Sequence, residues 1–246
     1  MFYDQSEFDI RQEWGLRGVE VLAPISDVVI VVDVLSFSTC VDVAVGRGAE
    51  VYPYRWRDES AGEYAEAVGA ILASPHRVAA GGYSLSPASL VGIVEGTRLV
   101  LPSPNGSTLT LAAGGTVTLA GCLRNARVVA EAAQRFGERI SVIAAGERWP
   151  DGSMRAAVED LVGAGAIIHY LAGKKSPEAV VAEAAFVRVK EGLLGWLRQC
   201  SSGKELVERG FAGDVELAAA LNVSECVPVL RDGAYMRQGE GQIRGV

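Results

Sequence analysis

A chain of 246 residues, 49% hydrophobic and 22% charged, lies at the upper end of one domain or forms two closely packed lobes. At that length roughly three quarters of the unfolded surface can be buried without disulfide or metal staples. The net charge of −7 excludes broad non-specific nucleic-acid binding, which needs a basic stripe to displace counterions, but permits a small anionic ligand at a locally positive site.

In chain order, the segment Met1–Glu7 is acidic and carries no basic leader signal. An edge strand is expected around Val19–Leu22. Val28–Val32 is β-branched throughout, as suits a strand buried on both faces. Asp33 ends it, and a helix is expected over Ser38–Arg47, stopped by Gly48. Glu50–Tyr54 is a second strand. Asp58 then caps a helix with Ala61, Ala65, Val68 and Leu72 on one face. A loop rich in Gly, Ser and Pro covers Ser74–Leu90, with a short strand at Val78–Ala80.

Thr97–Leu101 is the next strand, running into Ser103-Pro104-Asn105-Gly106-Ser107 and a helix from about Thr108. Thr116–Ala120 leads into Gly121–Asn125 and a helix over Ala126–Phe136. Ile140–Ala145 leads into Gly146-Glu147-Arg148. Helices follow over Glu159–Leu171, where Gly163 and Gly165 admit a close neighbour, and from Glu178 to about Gln199, opened by Pro177. Two more are expected over Lys204–Glu208, ended by Gly210, and Val215–Leu221, capped by Asp214. Gly239–Val246 shows no pattern. The alternation implies a layered α/β/α domain over residues 1–246 with a mostly parallel or mixed sheet. Division into lobes 1–137 and 138–246 is the alternative.

Strand-to-helix turns of this kind gather along the carboxyl edge of a sheet, where amides at helix starts attract anions. Asp33 closes an otherwise apolar strand, so its carboxylate needs water, a metal or a donor. Helix capping is the competing reading. In the Ser103–Ser107 turn, two prolines preset the backbone, Gly106 permits close approach, and Asn105 and Ser107 offer side-chain donors beside exposed amides. A plain turn with an N-cap is the equal alternative. Arg124 is suited to bidentate pairing with an oxyanion, although a single arginine is more often solvated. Cys122 has no base to activate it and reads as a buried, inert thiol. The polar loop Gly146–Arg155 has the composition of an active-site cover. Glu159 and Asp160 open a helix, where they either complement its dipole or help Asp33 to hold a divalent cation. Oxygen ligands with only two histidines in the chain favour Mg²⁺ over zinc. His169, on an apolar helix, reads as a packed residue.

The four cysteines Cys40, Cys122, Cys200 and Cys226 form no C-x-x-C pair, which suits reduced thiols in a cytoplasmic protein. No apolar run approaches the ~18 residues of a membrane span, so no membrane partner is expected. A homodimer is the base-rate expectation for an enzyme of this size. A dinucleotide-binding or P-loop enzyme is disfavoured, because neither glycine motif occurs where it is needed.

Several segments together resemble the 2-phosphosulfolactate phosphatase family of Mg²⁺-dependent acid phosphatases. They are Val32-Asp33-Val34-Leu35 with Ser38-Thr39, Asn105-Gly106-Ser107, Asn125-Ala126, Ala145-Gly146 with Glu159-Asp160, and Ala164-Gly165. Leu206, Gly210, Asp214 and Pro228 continue the order over roughly residues 28–230. The resemblance implies a dedicated α/β fold and hydrolysis of a phosphomonoester that carries further acidic groups. The leading reading puts Mg²⁺ on Asp33 with Glu159 or Asp160, the three catalytic candidates, and takes substrate contacts from Ser38, Thr39, Ser103, Asn105, Gly106, Ser107, Arg124, Asn125 and Glu147. The chain departs from the family pattern at Ser36 and Thr108, each standing where an arginine is usual. It departs again at Gly81-Gly82-Tyr83 in place of G-E-R, and at Leu85-Ser86-Pro87 in place of N-S-P. Arg124, Arg148 and Arg155 are the candidates to replace the missing cations. A non-catalytic relative that binds an anionic metabolite is the alternative function.

Overall fold

A computed structural model describes residues 2–56, 58–78 and 81–239. Most of the strand expected at Val78–Ala80 and of the patternless Gly239–Val246 lies outside those residues. The first half of the chain forms β1 (Ile10–Trp14), α1 (Gly15–Leu22), β2 (Val28–Val32), α2 (Phe37–Gly46), β3 (Glu50–Tyr54), α3 (Ser60–Ala67), β4 (Ile71–Leu72), α4 (Pro87–Leu90), β5 (Arg98–Pro102), α5 (Gly106–Ala112) and β6 (Val117–Gly121). There follow α6 (Ala126–Phe136), β7 (Ile140–Ala144), β8 (Glu147–Arg148), β9 (Met154–Arg155), α7 (Val158–Tyr170) and α8 (Pro177–Val189). The chain ends with α9 (Leu193–Leu197), α10 (Ser201–Glu208), α11 (Ala212–Ala219), β10 (Pro228–Arg231) and β11 (Ala234–Arg237).

One sheet runs in the order β1-β7-β2-β6-β10-β11-β3-β5-β4, and so uses strands from both sides of residue 137. β1, β7, β2 and β6 are parallel to one another, as are β3, β5 and β4. The β10–β11 hairpin sits between these groups and pairs antiparallel with β6 on one side and β3 on the other. It turns at Asp232 and Gly233, both at positive φ, the backbone that a two-residue hairpin turn requires. Across those reversals the two parallel groups run in opposite senses. The sheet is therefore mixed, and no single carboxyl edge spans it.

Alternate residues of β2 enter two different cores, which is why the strand is apolar throughout. Val28, Ile30 and Val32 pack with Val129, Ala133, Val162 and Ile167 of α6 and α7. Val29 and Val31 pack with Val19 and Leu22 of α1 and with Leu109 of α5. Helices thus cover both faces. A third cluster joins Phe37, Val41 and Val45 of α2 to Val51, Leu99, Leu101 and Tyr235. Gly165 admits the close helix contact that its position suggests, since a Cβ there would stand 1.9 Å from Ala182 O on α8.

Four expectations need correction. Val19–Leu22 is part of helix α1, its Gly15, Gly18, Val19 and Leu22 buried at helical spacing, and the edge strand is β1 instead. Leu72 belongs to β4 and not to the preceding helix. The long helix from Glu178 breaks at a 3₁₀ turn over Lys190–Gly192, where glycine weakens helical continuation. Asp214 lies within the first turn of α11, buried, and does not cap it.

Candidate active site

At the end of β2 the chain turns sharply into α2, and Asp33 sits at the bend. Its Oδ1 accepts the Phe37 N–H at 3.1 Å and its Oδ2 accepts the Gly106 N–H at 3.0 Å. The acid and the asparagine-bearing turn therefore meet, although they end strands from oppositely running groups. The meeting is made by α5, which starts at Gly106, two residues before the expected Thr108, and packs back over β2. Glycine is required at its start, because a Cβ on Gly106 would fall 2.2 Å from Phe37 Cδ1.

Several predicted substrate contacts serve this turn internally. Ser38 Oγ donates to Asp33 O at 2.8 Å, Thr39 Oγ1 to Val34 O at 2.7 Å, and Ser107 Oγ to Leu101 O at 3.1 Å, and all three residues are buried. Their hydroxyls satisfy backbone that leaves the sheet, and none lines the cleft. Asn125 is corrected in the same way. It is fully buried, accepts the Cys122 N–H at 2.9 Å and donates to Ala120 O and Cys226 O.

Beyond β7 the chain turns at Gly146, whose φ of +69° favours glycine, into the β8–β9 ribbon. The Gly146 and Val34 N–H groups donate to Asp160 Oδ2 and Oδ1 at 2.9 and 2.7 Å. Asp160 is thus a clamp between the β2 and β7 turns, with each carboxylate oxygen already bonded to backbone. Glu147 Oε2 accepts from Asn105 Nδ2 at 2.9 Å. Glu159 is 2% exposed, and its Oε2 has no hydrogen-bond partner among the described residues.

These acids raise one another's affinity for protons. Burial first, then the charge of Glu159, pushes Asp33 up to about 6, against the pull of the two N–H bonds. Burial followed by the charge of Asp33 pushes Glu147 up to about 7. Asp160 is raised by burial and then by Asp33 and Glu159. A cation would relieve this strain. Among the described residues, however, no three of His, Cys, Asp and Glu are grouped to hold a metal ion, so the trio Asp33, Glu159 and Asp160 is not a ready-made cage. Mg²⁺ is commonly held by one or two carboxylates, with water and substrate oxygens completing its shell. Of the three acids Asp33 alone lines the cleft, and Glu159 alone has an oxygen without a partner among the described residues, which makes this pair the candidates for that smaller requirement.

Asp33 and Glu147 open into a cleft of about 590 Å³ that Ser103 and Asn105 also line. Its basic residues are Arg77, Arg148, Arg155, Arg209 and His76. Arg148 and Arg155, two of the candidates to replace the missing cations, stand on the two strands of the ribbon and line the cleft. Arg155 bonds Ser202 Oγ at 3.1 Å and lies 5.8 Å from the Trp149 ring centroid. Arg124 does not reach the cleft. Its Nε bonds Asp42 Oδ2 at 2.8 Å and its Nη1 bonds Leu217 O at 3.2 Å, so it ties α2 to α11 elsewhere. Arg77 and Arg209 escaped the sequence reading. Arg77 lies in a loop that composition alone marks as featureless, and Arg209 looks like an ordinary solvated helix end. The available signal was positional, since Arg77 follows β4 as the other candidates follow their strands. Cys122 is buried and its thiol is raised by that burial, which agrees with an inert role. His169 is not deeply packed as expected; it is part-exposed and bonds Glu183 Oε1 at 3.0 Å.

Fold and cleft together define a layered α/β enzyme whose site sets carboxylates among arginines. The sequence profile of the family described as 2-phosphosulpholactate phosphatase matches residues 20–233, and the chain belongs to that family. It is 31% identical over 210 residues to 2-phosphosulfolactate phosphatase of Methanothermobacter thermautotrophicus, covering 85% of this chain and 88% of the relative. A protein of Carboxydothermus hydrogenoformans named probable 2-phosphosulfolactate phosphatase is 31% identical, with 81% and 84% covered. One of the same name from Thermosynechococcus vestitus is 30% identical, with 82% and 88% covered. Among the described residues no helix is long and apolar enough to cross a membrane.

Proposed function

We propose that this chain is a Mg²⁺-dependent phosphatase that hydrolyses a small phosphomonoester bearing a further acidic group, of the 2-phosphosulfolactate type, to the hydroxy acid and phosphate. The carrying observation is Asp33, buried and fixed by two backbone N–H groups in the lining of a cleft that also holds Glu147 and four arginines. Arg148 and Arg155 supply cationic donors to the phosphoryl oxygens, and Asn105 orients Glu147 beside them. Glu147, raised to about 7, keeps a proton near neutral pH and is suited to pass it to the departing alkoxide. A Mg²⁺ ion held by Asp33 and Glu159 would neutralise phosphate charge and acidify bound water. The four buried, unpaired thiols support a cytoplasmic setting.

The test is phosphate release from a panel of phosphomonoesters, with and without Mg²⁺. Turnover that favours substrates with an added carboxylate or sulfonate and stops with a chelator supports the proposal. The second reading, a metabolite binder without turnover, draws on the lack of a three-residue metal group among the described residues. Thermal stabilisation by such esters with no phosphate released would favour it.

A further inference from the structure

We propose that Arg77, held in place by Asp214, is the residue that selects substrates with a second acidic group, reading a carboxylate or sulfonate apart from the phosphate. This deepens the phosphatase reading and rests on it. Asp214 is 1% exposed, and its Oδ1 accepts from Ser86 Oγ at 2.6 Å and from the Ala88 N–H at 3.1 Å. Its Oδ2 takes Arg77 Nη1 at 2.7 Å. The same Nη1 donates to Ser36 Oγ at 3.1 Å, and the guanidinium lies 5.6 Å from the Phe211 ring centroid. The turn after β2 and α11 thus hold the guanidinium, and the start of α4 holds the Asp214 carboxylate that anchors it.

Both bonds run through Nη1, so Nε and Nη2 have no partner among the described residues, and Arg77 lines the cleft. Unlike Arg124, this guanidinium lines the same cleft as Asp33 and Glu147. A rigid fork with open donors is prepared for a planar or tetrahedral oxyanion. Ser36 stands three residues beyond Asp33 in the same turn. The anchored cation and the acid assigned to phosphate chemistry therefore share one cleft, and a small molecule with two anionic ends can meet both. Asp214 acts through Arg77 and is a positioning residue.

The experiment compares kcat and KM for 2-phosphoglycolate, which carries a carboxylate, and for phenyl phosphate, which carries none. Arg77→Met is expected to lower the ratio of their kcat/KM values by about 10- to 100-fold, mostly through KM for phosphoglycolate. Asp214→Asn should move the ratio the same way by less, as the guanidinium loses its anchor but not its charge. Because Arg77→Met strands a buried carboxylate, the double variant Arg77→Met/Asp214→Asn provides a form without an unpaired charge. An unchanged ratio in the folded double variant overturns the proposal, even if both activities fall. Should the native enzyme release phosphate from neither ester, the phosphatase reading fails separately, and calorimetric binding of sulfoacetate decides the role of Arg77. Binding that weakens at least about tenfold in the double variant sustains the role, and equal binding, or none to the native protein, ends it.

Discussion

Two Arg–Asp pairs flank α2, and by their immediate geometry they are almost interchangeable. Arg77 meets Asp214 at 2.7 Å, with side chains 12% and 1% exposed; Arg124 meets Asp42 at 2.8 Å, with 15% and 1%. The difference lies in which pocket each pair faces. Arg124 also donates to Leu217 O, and Asp42 also accepts from Ser224 Oγ at 2.6 Å, and the pair lines a separate pocket that none of the site acids reaches. Arg77 lines the cleft that Asp33 and Glu147 share. Distance and burial describe how strongly a pair is held, whereas its neighbours in the cavity describe what it can bind.

The largest expected effect belongs to the cleft end of α2. Asp33→Asn should lower kcat by about 10³-fold or more, the scale of removing one preorganised charged group from an active site. At neutral pH its melting temperature should change little, since the variant sheds a buried charge that the fold disfavours but turns its NH2 toward one of the two backbone N–H groups that Asp33 accepts. Phosphate-release kinetics with parallel calorimetry check this, and near-native turnover would remove Asp33 from the chemistry. At the far end the pattern should invert. Arg124→Met leaves Asp42 buried with Ser224 alone and should cost about 3–5 kcal/mol, or on the order of 10 °C in melting temperature. Its kcat/KM per folded molecule should stay within about twofold of native. A raised KM with unaltered melting would show that Arg124 serves the substrate after all.

A smaller effect should separate backbone from side chain within the cleft. Gly106→Ala forces a methyl against the Phe37 ring and should draw the turn away from Asp33. Activity is expected to fall about tenfold to a hundredfold with a stability loss of about 1–3 kcal/mol. Native kinetics in this variant would mean that the Gly106 N–H is dispensable.

What the sequence disclosed follows from how local its signals are. Val28–Val32, Glu50–Tyr54 and Ala126–Phe136 have the bounds that their patterns suggest, because composition and period act within a few residues. The conjunction of Asp33 with Gly106 was also legible, since both end apolar strands in turns rich in small residues. The β10–β11 hairpin was not, as its four-residue strands carry little alternation and pair with strands remote in sequence. Arg77 and Arg124 show the same limit at single residues. Each is one arginine in a loop, and only the tertiary neighbours Ser36, Asp214 and Leu217 decide which of them faces the cleft.

The pH dependence of stability tests whether the two ends also differ as charge environments. Unfolded Asp and Glu titrate near 4. In the fold Asp33 is pushed up to about 6 and Glu147 to about 7, burial being the first cause in each. Between those limits the folded state binds more protons than the unfolded state, so unfolding free energy falls as pH rises. Their stabilising contribution is complete below about pH 4 and is lost through pH 6 to 7, a matter of a few kcal/mol. Asp27 and Asp151, which are held low by their donors, are ionised in both states across this window and leave the slope unaltered. In the presence of a chelator, melting temperature should therefore decline from pH 5 to 8. Asp33→Asn/Glu147→Gln should lessen that decline, the raised Asp160 and Asp42 keeping part of it, while Arg124→Met, which leaves Asp42 buried without its cation, should lower the whole curve and steepen it. Mg²⁺ added to the native protein should flatten the curve as the double substitution does, because an ion that binds the deprotonated acids offsets their repulsion. A slope undiminished in Asp33→Asn/Glu147→Gln would move the titrating groups elsewhere, and with them the distinction drawn between the two ends of α2.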